Sequence, residues 1–321
     1  MRRREFVAIF ASATAALAAS TLVRAQQRVP RVGVLGSEPW KPIEGLRQGL
    51  ASLGYSEGSV AFEYRWFQGQ SSRLPDLIAE LLGVGCNVIV TVGTPAALAA
   101  KRATTVVPIV MGLIGDPVSA GLVSSIARPD GNITGVSVLA AELEPKRLQL
   151  LKEMVPPLSR VWVLGNSENP YSKIAYGHAE RGAQSLGIRL NSLLAKDASE
   201  FESALSRADG RSEAVLIIAD QLFLAQRVKI ADLLTRARVA SISTYREHVE
   251  AGGLMSYSTN YLESFRLAST YVDRLLKGAR PGDLPIQQVT KFELIINRKA
   301  ANAIGIAVPA AMLGIADEVI E

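Results

Sequence analysis

Three short polar segments in this chain each place a cap-type residue directly before a proline: Gly93-Thr94-Pro95, Gly115-Asp116-Pro117 and Glu168-Asn169-Pro170. Each follows an apolar run that reads as a buried strand, so each stands at a strand's carboxyl end. A helix starting there leaves backbone N–H groups unpaired and carries partial positive charge, which suits a carboxylate or a phosphate. Gly93 lets a ligand approach the backbone, and Thr94 takes the cap position with Pro95 at the first helical position. Thr94 and Asn169 are neutral and leave their helix ends open to an anion. Asp116 neutralises its own helix end and suits an amine or a hydroxyl.

Two more strand ends add to this set. Asp220 follows the apolar run 214–219, and Tyr245 follows the run 239–243 with Arg246 beside it. Ser37 and Trp40 come after the first apolar run, and Asn166 opens the loop that carries Asn169. Together these residues suit a zwitterion, with its carboxylate on Gly93 and Thr94 and its ammonium on Asp220 or Asp116. Trp40 and Tyr245 would supply flat apolar walls. The plainer reading is that each corner only caps its helix and each aromatic only packs. What favours binding is the shared direction of the corners, because open parallel sheets hold ligands outside the carboxyl ends of their strands.

Catalysis finds little support. No Gly-x-Gly-x-x-Gly follows a strand, and there is neither a P-loop nor a Gly-x-Ser-x-Gly elbow. His178 and His248 lack a His or Cys partner at metal-ligand spacing and read as solvated or hydrogen-bonded side chains. Cys86, the single cysteine, precedes a buried strand at the end away from the cleft and reads as a small core hydrophobe. No metal, no cofactor and no enzymatic activity are expected.

The elements that position these corners alternate short apolar runs with helical patterns, the signature of a parallel α/β sheet. The first lobe reads as strands at 32–36, 60–67, 88–92, 108–112 and 133–138, with helices at 42–53, 74–82, from Thr94 onward, and 118–127. A second lobe starts near Leu139 with a helix at 145–154. Strands at 161–165, 188–194, 214–219 and 239–243 then alternate with helices at 171–186, 199–207 and 221–238, and a short strand follows at 252–257. A long helix at 261–277 suits a return to the first lobe, and a strand at 292–297 with a helix at 298–304 goes back to the second. The expected fold class is α/β, two doubly wound parallel-sheet lobes with a hinge and an interlobe cleft. The lobes would be residues 30–138 plus 259–286, and 139–258 plus 287–321.

Residues 1–25 stand apart from this pattern. Arg2, Arg3 and Arg4 precede an apolar stretch that ends in Val23-Arg24-Ala25, which reads as an export signal of either the twin-arginine or the general secretory route. These residues hold four arginines and one glutamate, so the formal charge of +5 falls to +2 without them. With no Lys/Arg block elsewhere, nucleic-acid binding loses its electrostatic footprint. No other apolar segment approaches the length of a membrane span.

The segments Glu250-Ala-Gly-Gly-Leu-Met-Ser-Tyr-Ser258, Tyr271-Val-Asp-Arg-Leu-Leu-Lys-Gly278 and Leu284-Pro-Ile-Gln-Gln-Val-Thr-Lys-Phe-Glu-Leu-Ile-Ile-Asn297 resemble the C-terminal part of the ABC transporter substrate-binding protein family that includes tryptophan-binding members. The likeness continues through Thr91 to Lys101, Gly115-Asp116-Pro117 and Ala127 to Gly135, and covers nearly all of the chain after residue 25. Three positions beside the cleft depart from the family pattern: an earlier proline is missing from Asn166-Ser-Glu-Asn-Pro170, Gln221 stands for a common proline, and Ser258 for a glycine.

The resemblance implies a type I periplasmic binding fold that hands a small ligand, best an amino acid and among these an aromatic one as in members with known ligands, to an ABC permease in the inner membrane. It also implies a periplasmic location, and a monomer is expected. Hinges would lie near 138–140, 257–260 and 284–288. A sensing subunit for a membrane receptor, or an enzyme on a related two-lobed fold, are the alternatives.

Overall fold

The computed structural model describes residues 29–208 and 213–321. The expected export signal at 1–25 lies outside the described residues. Two sheets form the core. The first has strand order β11-β5-β4-β3-β1-β2, built from β1 (Arg31–Gly36), β2 (Ala61–Trp66), β3 (Val88–Val92), β4 (Ile109–Ile114), β5 (Ile133–Ser137) and β11 (Gln287–Gln288). Every pairing in it is parallel. β3 and β4 are buried along their whole length, as their continuous β-branched and aliphatic runs require of strands covered on both faces.

The second sheet has the order β13-β12-β10-β9-β8-β6-β7. Its strands are β6 (Arg160–Asn166), β7 (Arg189–Ala195), β8 (Glu213–Ile217), β9 (Ala240–Ser243), β10 (Met255–Thr259), β12 (Phe292–Asn297) and β13 (Glu318–Ile320). All are parallel to their neighbours except the β10–β12 pair.

The chain passes between the sheets three times. It goes from β5 through 138–143 into the helix Glu144–Met154, from β10 through Asn260 into the helix Tyr261–Leu276, and from β11 to β12. The last strand of the first sheet extends to Gln288, two residues past the expected boundary at 286. The helix Tyr261–Leu276 packs against the helix Glu44–Ser52 of the first lobe. Gly45 and Gly49, one turn apart, make this close crossing possible, because a Cβ on Gly49 would sit 2.8 Å from the Ser269 Cβ and one on Gly45 would collide with the Leu262 carbonyl.

Two helices expected from the sequence differ. Residues 118–127 form turns: Ala120 N–H bonds to the Asp116 carbonyl, then Gly121 takes φ of +70° and stops the helix after one turn. The segment 221–238 is two helices, Gln221–Ala225 and Arg227–Ala237. They break at Gln226, where the Arg227 guanidinium takes the Leu224 carbonyl that a continuous helix would have used. The chain also adds a helix Ala310–Ile315 before β13, neither of which was foreseen.

Candidate functional site

A cavity lies between the two sheets at the carboxyl ends of their strands. The first lobe lines it with Gly93, Thr94, Leu113 and Gly115, and the second with Asn169, Tyr171, Asp220, Gln221 and Tyr245. Val138 and Ala140 of the first crossing and Tyr261 after the second complete the wall.

The first-lobe wall rests on the turn after β3. Gly93 has φ of +90°, a conformation that favours glycine, and its own N–H is taken by the Leu113 carbonyl. Gly93 is the residue that precedes the helix Thr94–Ala103, and Thr94 is its first helical residue, with no side-chain capping bond. The expectation that Thr94 caps this helix is therefore corrected by one residue. Pro95 has no N–H, and the N–H groups of Thr94 and Ala96 have no backbone acceptor among the described residues. Of these residues Gly93 and Thr94 line the cavity.

Asp220 dominates the second-lobe wall. It is 4% exposed, accepts from Leu222 N–H at 2.7 Å as the cap of the helix Gln221–Ala225, and accepts from Asn166 Nδ2 at 3.3 Å and Asn169 Nδ2 at 2.7 Å. Burial pushes its carboxyl above the usual carboxylate range, and these donors oppose the shift. Three donors leave acceptor capacity on a carboxylate for a ligand cation. Asn169 also accepts from Tyr171 N–H at 3.0 Å, so its helix end is already occupied and is not the open anion site expected.

Other predicted residues are set back from the cavity. Asn166 supports Asp220 from behind. Trp40 packs on Tyr245 and Tyr261, with ring centroids 5.8 and 5.3 Å away, and donates from Nε1 to Glu247 at 2.5 Å. It braces the aromatic wall instead of forming it. Ser37 is buried with its hydroxyl unpartnered, outside the cavity lining. Asp116 is half-buried and accepts from Ser119 N–H at 2.9 Å, closing its own turn; it too is outside the lining.

Sequence reasoning missed Tyr171 and Gln221, both of which reach across the cleft. A Cβ on Gly115 would lie 2.7 Å from Cζ of Tyr171, and one on Gly93 would lie 3.2 Å from Cγ of Gln221. Each second-lobe side chain thus sits on a first-lobe glycine. Gln221 also donates to the Tyr245 hydroxyl at 3.2 Å. The space left is about 20 Å³, room for about one water. A larger solute enters only when the lobes part.

Behind Tyr171 lies a fully buried ion pair. Arg147 Nη1 is 2.9 Å from Glu144 Oε1, and Arg147 donates to the carbonyls of Ala140 at 2.9 Å and Tyr257 at 2.8 Å. Beyond this pair, neither Glu144 oxygen nor Arg147 Nη2 has a hydrogen-bond partner. One guanidinium joins the first crossing to the middle of β10. Leu139, beside Ala140, has φ of +50°, a strained conformation for a branched side chain.

His248 is buried with Nε2 unpartnered, which differs from the solvated or hydrogen-bonded histidine expected. Cys86 is buried as expected, and burial pushes its thiol up to about 11. Among the described residues no group of three His, Cys, Asp or Glu could hold a metal ion, and no helix is long and apolar enough to cross a membrane.

A curated tyrosine-binding protein of Clostridioides difficile (strain R20291) is 25% identical over 266 residues, 82% of this chain and 76% of that protein. A solved conserved domain protein from Vibrio cholerae superposes with a TM-score of 0.85 at 26% identity, covering 91% of this chain and 100% of that one. An ABC domain from Streptococcus pneumoniae, solved in complex with L-Trp, superposes with a TM-score of 0.83 at 25% identity, covering 91% and 99%. The fold is that of the type I periplasmic binding proteins. The family described as ABC transporter substrate binding protein matches residues 37–320, so the chain belongs to that family of solute-binding proteins, which are not enzymes.

Proposed function

We propose that this chain captures an aromatic amino acid by lobe closure and delivers it to a membrane permease as the binding component of an ABC importer. The observation that carries this reading is one cavity lined from the second lobe by the Asp220 carboxyl and from the first by Gly93 and Thr94, where the helix Thr94–Ala103 starts. A zwitterion satisfies both, ammonium on the carboxylate and carboxylate on the helix start, where an uncharged solute would leave a buried charge unpaired. The rings of Tyr171, Tyr245 and Tyr261 give the rest of the wall an aromatic surface. Two similar proteins support the class, one named for tyrosine binding and one solved with L-Trp.

Only a ligand that contacts both lobes favours the closed state over the open one. The lobes are residues 30–138 with 260–288, and 139–259 with 289–321, the hinge running through the three chain crossings. Export through residues 1–25 would place the mature, monomeric protein in the periplasm beside its permease.

Thermal unfolding of the chain from residue 26 onward, against a panel of amino acids, sugars and purines, tests this. A ligand at about a hundred times its Kd stabilises the folded state by about 2.7 kcal/mol. A shift with aromatic amino acids that Asp220→Ala and Thr94→Ala both abolish is the expected result. A shift only with solutes lacking an ammonium group would overturn the zwitterion site.

A further inference from the structure

Tyr171 lines the cavity, is 2% exposed, and its hydroxyl has no hydrogen-bond partner. Buried hydroxyls are almost always bonded, and leaving one unbonded is unfavourable. The other two phenols of the wall are already engaged: Tyr245 accepts from Gln221, and Tyr261 donates to the Thr244 carbonyl at 3.1 Å. Of the three, Tyr171 is the one whose hydroxyl is still unbonded.

Its position within the cavity matters as well. Asp220 lies by Tyr245, Asn166 and Asn169, whereas the charges that act on Tyr171 are Glu144, Arg147 and Asp116. Tyr171 lines the same cavity as Asp220 and Thr94, with its phenol seated on Gly115, next to Ile114, whose carbonyl takes the Val138 N–H of the first crossing. There its hydroxyl is within the space that a ligand anchored between Asp220 and Thr94 would enter.

We infer that Tyr171 is a specificity-determining residue, its hydroxyl bonding to a polar group at the far end of the ligand's side chain, and that the preferred ligand is an aromatic amino acid bearing a phenol. This rests on the proposed zwitterion site. A phenol both donates and accepts, so it can meet Tyr171 in either sense. A ligand with a plain phenyl ring would bury the Tyr171 hydroxyl against hydrocarbon, and sites built around a hydrogen bond discriminate strongly against analogues that lack it.

The test is calorimetric titration of the wild-type protein and Tyr171→Phe with L-tyrosine, L-phenylalanine and 4-methyl-L-phenylalanine, the last matching tyrosine in size without its hydroxyl. Expected in the wild type is binding of tyrosine about ten-fold or more tighter than either analogue. Tyr171→Phe should collapse that ratio while leaving the Tm of the unliganded protein undiminished, since the hydroxyl has no partner to lose. Equal binding of all three by the wild type, or a ratio unchanged in the variant, would overturn the assignment and leave the zwitterion site standing. A lowered Tm of the unliganded variant would assign the hydroxyl to the Glu144–Arg147 pair and also overturn it. Binding of none of the three would overturn the amino-acid reading, and this inference with it. Should the variant fail to fold, the wild-type ratio of tyrosine to 4-methyl-L-phenylalanine decides.

Discussion

The phenol of Tyr171, carried by the second lobe, rests on Gly115 of the first so closely that a Cβ there would lie 2.7 Å from its Cζ and 2.8 Å from its hydroxyl oxygen. Gly115 has no positive φ, so alanine is conformationally acceptable at that position. Gly115→Ala should therefore fold normally and act only when the lobes meet. Overpacking of this kind costs about 1–3 kcal/mol, here charged to the closed state alone. Ligand affinity should fall by about 5-fold to 150-fold with little change in the Tm of the unliganded protein. Titration with the ligand found in the thermal panel checks it; undiminished affinity would mean that the lobes do not meet at this glycine when the ligand is bound.

The buried pair Glu144–Arg147 gives a prediction about stability. Both side chains are 0% exposed, and Arg147 also holds the carbonyls of Ala140 and Tyr257. Arg147→Ala strands a carboxylate in a dry environment and frees two carbonyls, so a loss of about 3–5 kcal/mol is expected. Replacing both, Glu144→Leu with Arg147→Met, removes the stranded charge and should cost less than Arg147→Ala alone. Urea unfolding of the three proteins decides; a double variant as unstable as the single would show that the carbonyl bonds, and not the charge, dominate.

His248 gives a prediction about acid stability. Burial, with the charge of Arg227, lowers its pKa to about 3. The unfolded chain binds this proton near the ordinary value of about 6.5 and the folded chain does not. Between those values the unfolded state holds more protons, so this group's contribution falls as pH drops from about 6.5 toward 3. Burial raises the carboxyls of Glu144, Glu247 and Asp220, and these act in the opposite sense over the acid range. The difference between wild type and His248→Gln isolates the histidine. The variant should lose less stability than the wild type from pH 7 to pH 4, and parallel pH profiles would refute the assignment.

The strands that carry these corners were legible because a parallel sheet's buried strands are short, β-branched and continuous. β3 at Val88–Val92 and β12 at Phe292–Asn297 match their expected bounds. The strand ends at Gly93, Asn169 and Asp220 were legible as corners, because each directly follows or closely trails an apolar run, and the structure places all three on the cavity wall; the cap roles were not, since only Asp220 of the three makes a side-chain cap bond. What sequence could not supply is what meets across the cleft. Tyr171 directly follows Asn169-Pro170 and Gln221 directly follows Asp220, so each stood one or two residues from a recognised strand-end residue. A large side chain at the first position of a helix on the ligand side of a sheet was the available signal. Its seat on a glycine of the other lobe depends on tertiary placement, which local pattern does not encode. Asp116 failed for a related reason, because its acidic cap looks the same whether a helix follows or Gly121 ends it after one turn.

The loop after β1 is bonded directly to the second lobe through Glu38 to Arg227 at 2.7 Å and the Trp40 indole to Glu247 at 2.5 Å. They differ in environment. Glu38 and Arg227 are about a third exposed, so their bond is screened and worth only about 0–1 kcal/mol. Trp40 is 8% exposed, and the second oxygen of Glu247 is buried without a partner, so this bond is the one that closure must make well. Trp40→Phe keeps a ring against Tyr245 and Tyr261 and removes only the donor, leaving Glu247 unpaired in the closed state. Because an open cleft rehydrates Glu247, the variant penalises closure more than folding. Ligand affinity should therefore drop by about 5-fold to 30-fold, with the loss in the off-rate, while Arg227→Ala should change it by less than about 5-fold and less still at high salt. Stopped-flow dissociation across ionic strength separates the two. An Arg227 effect larger than the Trp40 effect would reverse the ranking and place the latch at the exposed pair.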